Sequence, residues 1–196
     1  MKNIVLLIFM FIYLNVSYAQ NTISYTLNHT PNSKKITIEL AFDTTSTDAL
    51  KLVIPRGAPG TYELTNYIAF ISNVNGYTTS DKILKGVVGD GSFFFFKEKN
   101  EVLKKISYEV DINKMEMSLL GGFASSKIRD NYLGILGYAV FGFIEGFENR
   151  PIVLKINTHK DWPIFSTLKP SIQRNKGAEL YKTNNFALLA DAQLLL

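Results

Sequence analysis

The chain of 196 residues is 46% hydrophobic, 13% aromatic and 19% charged, with a formal net charge of +4 and no cysteine. That composition fits one folded domain, or two small ones, and is too apolar and too weakly charged for a disordered chain. The lack of Cys excludes disulfides, thiolate zinc sites, cysteine nucleophiles and a lipid-anchored cysteine, and two histidines (His29 and His159) cannot make a histidine-rich metal site. The 21 Lys and Arg stand against 17 Asp and Glu, so little is available to neutralise a run of phosphates, and no nucleic-acid partner is expected.

The N-terminus reads as a leader. Lys2 precedes the unbroken apolar run Ile4 to Leu14, and Ser17-Tyr18-Ala19 places small residues at the −3 and −1 positions of a cleavage site before Gln20. A membrane helix needs roughly 20 apolar residues, and Asn15 ends this run well short of that. The expectation is a signal peptide over 1–19 and a single domain over 20–196, with no membrane span after cleavage. Secretion to a periplasm or the exterior follows. A mature chain of about 180 residues buries roughly 70% of its surface on folding, so it needs no disulfide staples.

The mature chain alternates with period two. Ile23, Tyr25 and Leu27 alternate with Ser24, Thr26 and Asn28; after a turn at Pro31-Asn32, Ile36, Ile38, Leu40 and Phe42 alternate with polar or small residues, which predicts a hairpin. Leu50 to Ile54 predicts a third strand. Val87-Val88 and Ser92 to Phe96 flank Gly89-Asp90-Gly91, whose Asp-Gly step is a hairpin-turn signal. Further strands are expected at Ile106 to Val110, Tyr138 to Ile144 and Pro151 to Ile156. Only Tyr62 to Val74 has helical spacing, with Leu64, Tyr67, Ile68, Ile71 and Val74 near one stripe and Gly76 placed to cap it; an irregular segment closing one end of the sandwich is the equal alternative. The predicted fold is all-β, a two-layer antiparallel β-sandwich with one or two short helices.

Two apolar stretches stand out. Four consecutive phenylalanines, Phe93 to Phe96, must point alternately to opposite faces, which predicts a central strand covered on both sides; a partner or membrane surface is the sharper alternative. Tyr132 to Ile144 carries no charge, and its Gly134, Gly137 and Gly142 predict bends where another backbone comes close.

Signatures of catalysis are missing. The sequence contains no H-E-x-x-H, no G-x-S-x-G, no P-loop and no G-x-G-x-x-G opening a helix. His159 and Asp161 fit a solvated turn better than a triad, and Glu145 with Glu148 would need a cleft between them to act as a carboxylate pair. Trp162 reads as a packed aromatic, with sugar stacking as the alternative.

One segment is distinctive. Leu52-Val53-Ile54-Pro55-Arg56-Gly57-Ala58-Pro59-Gly60-Thr61-Tyr62 is a strand running into a stiff loop, in which Pro59-Gly60 suits the centre of a type II turn. This P-x-x-x-P-G-[ST]-Y pattern resembles the N-terminal domain of the glycyl aminopeptidase family of zinc metallopeptidases (peptidase family 61). Other features fall in the family's order: Tyr25 in I-x-Y-x-L, Tyr108-Glu109-Val110, Phe141 to Gly146, Pro151 to Ile156 with Trp162, and Asn185 to Asp191. The resemblance spans most of residues 23–193. It departs at Arg56, where the family carries an apolar or aromatic residue, at Asn185-Phe186-Ala187 and at Gln193, where a proline is common.

The resemblance implies a β-domain joined to a thermolysin-like catalytic domain whose zinc is held by H-E-x-x-H and a further Glu. None of those ligands lies in these residues, so no catalytic residue, metal or cofactor is expected here. The reading is a non-catalytic N-terminal β-domain of a secreted glycyl-aminopeptidase-like metallopeptidase, supporting or walling the substrate cleft of a catalytic domain absent from this chain. A stand-alone secreted module that binds a peptide or glycan is the alternative. The expected partner is that catalytic domain or a peptide substrate, contacted by Arg56 and Tyr62, the two side chains of the loop suited to directional contact.

Overall fold

The computed structural model describes residues 22–43, 49–57, 64–96, 98, 101–159, 161–175 and 178–196. The leader expected over 1–19, the Pro59-Gly60 turn and Tyr62 lie outside the described residues.

One large sheet forms the first layer. Its eight strands run in the order β14 (Pro170–Asn175), β15 (Ala178–Thr183), β12 (Ile152–Asn157), β1 (Ile23–Asn28), β2 (Lys35–Ala41), β8 (Leu103–Asp111), β4 (Ile71–Thr78) and β5 (Ile83–Lys85). The β1–β2 hairpin forms as expected, with Tyr25 opposite Leu40 and Leu27 opposite Ile38. Strand β12 lies parallel to β1, Ile23 beside Ile152, and is the one parallel neighbour in a ladder that is otherwise antiparallel. A parallel pair needs a long crossover, and the chain between β1 and β12 supplies it by building the second layer on the way.

That second layer consists of two four-stranded sheets. One has the order β11 (Phe143–Ile144), β3 (Ala49–Val53), β7 (Ser92–Phe96) and β6 (Val87–Gly89); the other has β13 (Phe165–Ser166), β16 (Gln193–Leu195), β10 (Leu133–Leu136) and β9 (Lys127–Ile128). All three sheets contribute to one hydrophobic core. The helices are short: α1 (Ile112–Ser118), α2 (Gly137–Val140), α3 (Phe186–Ala190) and a single 3-10 turn over Tyr67–Phe70. The β-sandwich class expected from the alternation is the observed one.

The large sheet buries one face and wets the other. Tyr25, Leu27, Ile38, Leu40, Ile106, Tyr108, Ile152 and Leu154 are at most 1% exposed, whereas the intervening Thr26, Glu39 and Lys155 reach solvent. Both β1 and β8 direct a tyrosine at the crossing segment that follows β10. The Tyr25 hydroxyl donates to the Gly142 carbonyl at 2.9 Å. The Tyr108 hydroxyl donates to the Val140 carbonyl at 2.9 Å and accepts from the Gly142 N–H at 2.8 Å. Burial pushes both phenols well up, so they remain neutral donors. Three separate sequence features of the family pattern (Tyr25, Tyr108 and Phe141-Gly142) therefore meet at one point.

That segment was expected to be a strand from Tyr138 to Ile144, and only its end, Phe143–Ile144, is one, as β11. Tyr138 to Gly142 is buried and pairs with no strand among the described residues. It turns once as α2, then extends, and the tyrosine hydroxyls satisfy backbone groups that a neighbouring strand would otherwise take. Two of the three glycines behave as expected: a Cβ on Gly137 would lie 2.2 Å from the Leu189 carbonyl oxygen, and one on Gly142 3.0 Å from the Val53 carbonyl oxygen, whereas Gly134 lies inside strand β10 with its nearest backbone atom 4.0 Å from that position.

The expected helix from Tyr62 to Val74 also gives way. After the 3-10 turn the chain becomes strand β4, with Val74, Gly76 and Thr78 buried in alternation against β8. A bulge between Ser72 and Asn75, with Asn73 at φ +53°, lets the first part of β4 mimic a helical spacing. Gly76 is no cap; Phe95 and Leu103 occupy the space its side chain would need.

The phenylalanine run is central to its sheet but covered on one face only. Phe93 and Phe95 are buried, while Phe94 and Phe96 stack on the outer face with centroids 6.3 Å apart, and Phe96 is 62% exposed. Nothing in the described residues packs over the outer end of that strand as a second layer would.

Candidate functional site at the Arg56 cleft

Strand β3 ends at Val53, and Ile54-Pro55-Arg56 leads away from the sheet because proline removes the next ladder donor. The Thr65 N–H donates to the Arg56 carbonyl at 2.8 Å, so the loop between them is closed at its base. The β6–β7 hairpin turn comes alongside through the pairing of Val53 with Ser92. Asp90 (φ +47°) and Gly91 (φ +65°) are its two central residues, and both positive angles match the type I′ turn expected of an Asp-Gly step.

These elements enclose a cleft of about 550 Å³. Val53, Ile54 and Ile68 give it an apolar wall, and Lys51, Arg56 and Asp90 supply its charges. Lys51 is held by Glu145, Nζ to Oε1 2.9 Å. Arg56 is exposed and makes no side-chain hydrogen bond or ion pair among the described residues. Tyr67 forms the inner wall, its hydroxyl donating to the Ala124 carbonyl at 2.7 Å, and burial pushes its pKa up to about 12. The set can hold a polar chain through charge and hydrogen bonds; its lining holds no imidazole to activate a nucleophile.

Of the two residues expected to make contact, the structure places Arg56 at the mouth of this cleft, and Tyr62 lies outside the described residues. Asp90 joins Arg56 through the non-local pairing of β3 with β7, which no local pattern announces, while Lys51 comes from β3 itself.

The other candidates are accounted for locally. Glu145 pairs with Lys51, and Glu148 accepts from the Gly146 N–H at 3.0 Å, so the two carboxylates serve different partners. His159 and Asp161 sit 3.5 Å apart in an exposed turn. Trp162 packs tilted on His29, centroids 4.8 Å apart, while His29 Nδ1 is 3.0 Å from Thr158 Oγ1. These donors do not fit a zinc ion: His29 is buried and engaged, and no three His, Asp or Glu side chains converge among the described residues.

The departures from the family pattern near the C-terminus have clear local roles. Asn185 caps α3, its Oδ1 accepting from the Leu188 N–H at 3.1 Å. The Gln193 N–H donates to Thr167 Oγ1 at 3.1 Å, a bond that a proline could not make.

The fold is shared with part of a larger solved protein. An aminopeptidase N family protein from Idiomarina loihiensis superposes with a TM-score of 0.72 at 13% identity, over 89% of this chain and 29% of that one. The M1 zinc metallopeptidase from Deinococcus radiodurans gives 0.47 at 8% identity, over 89% of this chain and 41% of that one, and yeast LTA4 hydrolase gives 0.44 at 9%, over 91% and 29%. No curated protein is matched significantly by the sequence. A model of the peptidase M61 N-terminal domain matches residues 24–195, and the chain belongs to that family. It spans less than half the length of each of these solved structures. Among the described residues no helix is long and apolar enough to cross a membrane.

Proposed function

We propose that this chain is the non-catalytic N-terminal β-domain of a secreted, glycyl-aminopeptidase-like metallopeptidase. It supports a zinc-bearing catalytic domain, and its Arg56 end walls the substrate cleft. The observation that carries this reading is the family match over 24–195, which takes in nearly all of the sandwich and is specific to an N-terminal domain. The lack of H-E-x-x-H in the sequence agrees with it, because zinc hydrolysis needs two histidines one helical turn apart and a carboxylate to activate water. In this role the cleft beside Arg56 presents a cation and a carboxylate on an apolar wall, a chemistry suited to an extended peptide.

The nucleotides following codon 196, and the adjacent reading frames, test the assignment. An H-E-x-x-H segment there, whose product binds this chain, is the expected result; its absence would favour a stand-alone binding module. For secretion, N-terminal sequencing of the mature protein should begin at Gln20, and an intact Met1 would count against export.

A further inference from the structure

The Arg56 cleft contains a hydroxyl that the described fold does not use. Along β7, Phe93 and Phe95 point into the core, so Ser92 points to the opposite face with Phe94 and Phe96. Phe96 on that face is 62% exposed, but Ser92, paired with Val53 on β3, is 2% exposed and lines the cleft. Its Oγ makes no hydrogen bond among the described residues. Buried hydroxyls are normally partnered, and one left alone carries the cost of losing water with nothing in return. Other polar groups of the lining are unspent too. Arg56 has no partner among the described residues, and Asn66 precedes the 3-10 turn without capping it through its side chain. Lys51 is a second cation, held at one side by a Glu145 carboxylate that is itself 60% exposed. Against these two cations the lining sets one carboxylate, the exposed Asp90.

We propose that Arg56, Lys51 and Ser92 form a subsite for a carboxylate, so that this end of the sandwich takes a peptide by an acidic group. The inference rests on the reading of the Arg56 end as a wall of a peptide cleft, and adds to it the chemistry that is recognised. A guanidinium presents two N–H groups in one plane, which matches the two oxygens of a carboxylate and exceeds what a single peptide carbonyl can accept. Ser92 donates from a buried position, where little water competes for the same acceptor and a hydrogen bond gains strength. The net positive lining disfavours a cationic group at the same place. Val53, Ile54 and Ile68 give the neighbouring part of the ligand an apolar wall, and Asp90 can accept a peptide N–H beside it. The carboxylate has two possible sources, the C-terminus of a short peptide or an Asp or Glu side chain within a longer one.

The test titrates the full chain with alanine peptides and follows its backbone amides by NMR. One pair of probes is trialanine as the free acid and as the amide; the other is an acetylated, amidated Ala-Glu-Ala and its Gln counterpart. The expected result is that an acid form shifts the amides of residues 53–56 and 90–92 and binds at least about tenfold more tightly than its neutral mate, in line with the loss of an interface anchor. Whichever pair shows the difference names the source. Arg56→Gln should remove that preference, and Lys155→Gln, on the wet face of the large sheet, should keep it. Ser92→Ala should weaken acid binding while the melting temperature of the free chain holds or rises, because the hydroxyl has no structural partner to lose. A melting temperature that falls in Ser92→Ala with binding intact overturns its role. Equal binding of acid and neutral peptides at these residues overturns the carboxylate subsite and leaves the peptide cleft standing. Binding of no peptide, or shifts confined to other residues, overturns both, while the N-terminal-domain assignment is judged separately by the reading frame beyond codon 196.

Discussion

The large sheet and the segment that crosses its buried face handle their backbones in opposite ways. In β1, β2 and β8 each residue's hydrogen bonds go to neighbouring strands, and side chains alternate between core and water. From Gly137 to Gly142 every residue is buried, and the backbone relies on Tyr108, Tyr25 and the Ala192 carbonyl instead of a ladder. The sheet distributes its stability over many similar contacts. The crossing segment concentrates it in a few that nothing nearby can replace, so the same small chemical change should cost very different amounts in the two places.

The strongest break is Gly137→Ala. The added methyl would meet three backbone carbonyls, those of Leu189, Ala190 and Ala192, and backbone cannot rotate aside as a side chain can. A loss of at least about 3 kcal/mol is expected, at or above the usual range for overpacking, measured as a fall in the urea midpoint. Alanine at Gly91, where no atom lies within 4 Å of the new Cβ, tests the sheet-side turn and should cost only the strain of its positive φ, about 1 kcal/mol.

Tyr108→Phe comes next. It removes one hydroxyl that serves both the Val140 carbonyl and the Gly142 N–H, leaving two buried groups without that partner, and should cost about 2 kcal/mol. Tyr25→Phe strands only the Gly142 carbonyl and should cost about 1 kcal/mol. Equal losses in urea titrations of the two variants would show that the crossing segment does not depend on the shared hydroxyl.

What could be read from the sequence follows the same division. The β1–β2 hairpin, the β6–β7 turn, β8 and β12 were legible because one wet face imposes alternation and Asp90-Gly91 fits one turn type. The crossing segment was legible only through its glycines, since burial on all sides erases any period. Helix α1 offered Asp111 as a cap, accepting from the Lys114 N–H, with Ile112 and Met115 on one face, but two turns are too few to stand out. The β14–β15 hairpin went unnoticed because most of its residues are polar. At the site, the stiffness of the loop pointed to Arg56, and Lys51 precedes it on the same strand, whereas Asp90 reaches it through β3–β7 pairing, a property of the tertiary fold alone.

A smaller and pH-dependent effect separates the buried end of β1 from its solvated neighbours. His29 is 6% exposed beneath Trp162, and burial lowers its pKa below the ordinary 6.5. The unfolded chain therefore binds a proton more readily than the folded one. The contribution of His29 to stability is complete above about pH 6.5 and is lost as pH falls through 6.5 towards the folded value. Thermal melts between pH 7.5 and 5 should show a declining midpoint that flattens in His29→Gln. The carboxylates held low by partners, Glu109 by Lys35 and Glu116 by Arg129, respond only in more acidic solution. A slope unchanged in His29→Gln would place the titrating group elsewhere.

The least change in stability is expected at the Arg56 cleft. The Arg56 side chain is exposed and without a partner among the described residues, while its carbonyl, which closes the loop by accepting from Thr65, survives any side-chain change. Arg56→Ala should therefore alter the unfolding free energy by no more than about 0.5 kcal/mol, the usual range for a surface position. Gly137, by contrast, is a position where the fold itself forbids substitution. If Arg56 contributes to walling a peptide cleft, its loss should appear only when the chain is joined to a catalytic domain, as a raised KM for peptide substrates with kcat retained. Denaturation with urea measures the first quantity and steady-state kinetics the second. A drop in stability well beyond 0.5 kcal/mol would mean that the guanidinium holds the loop together, and the cleft would then be a structural feature of the sandwich end instead of a place for substrate.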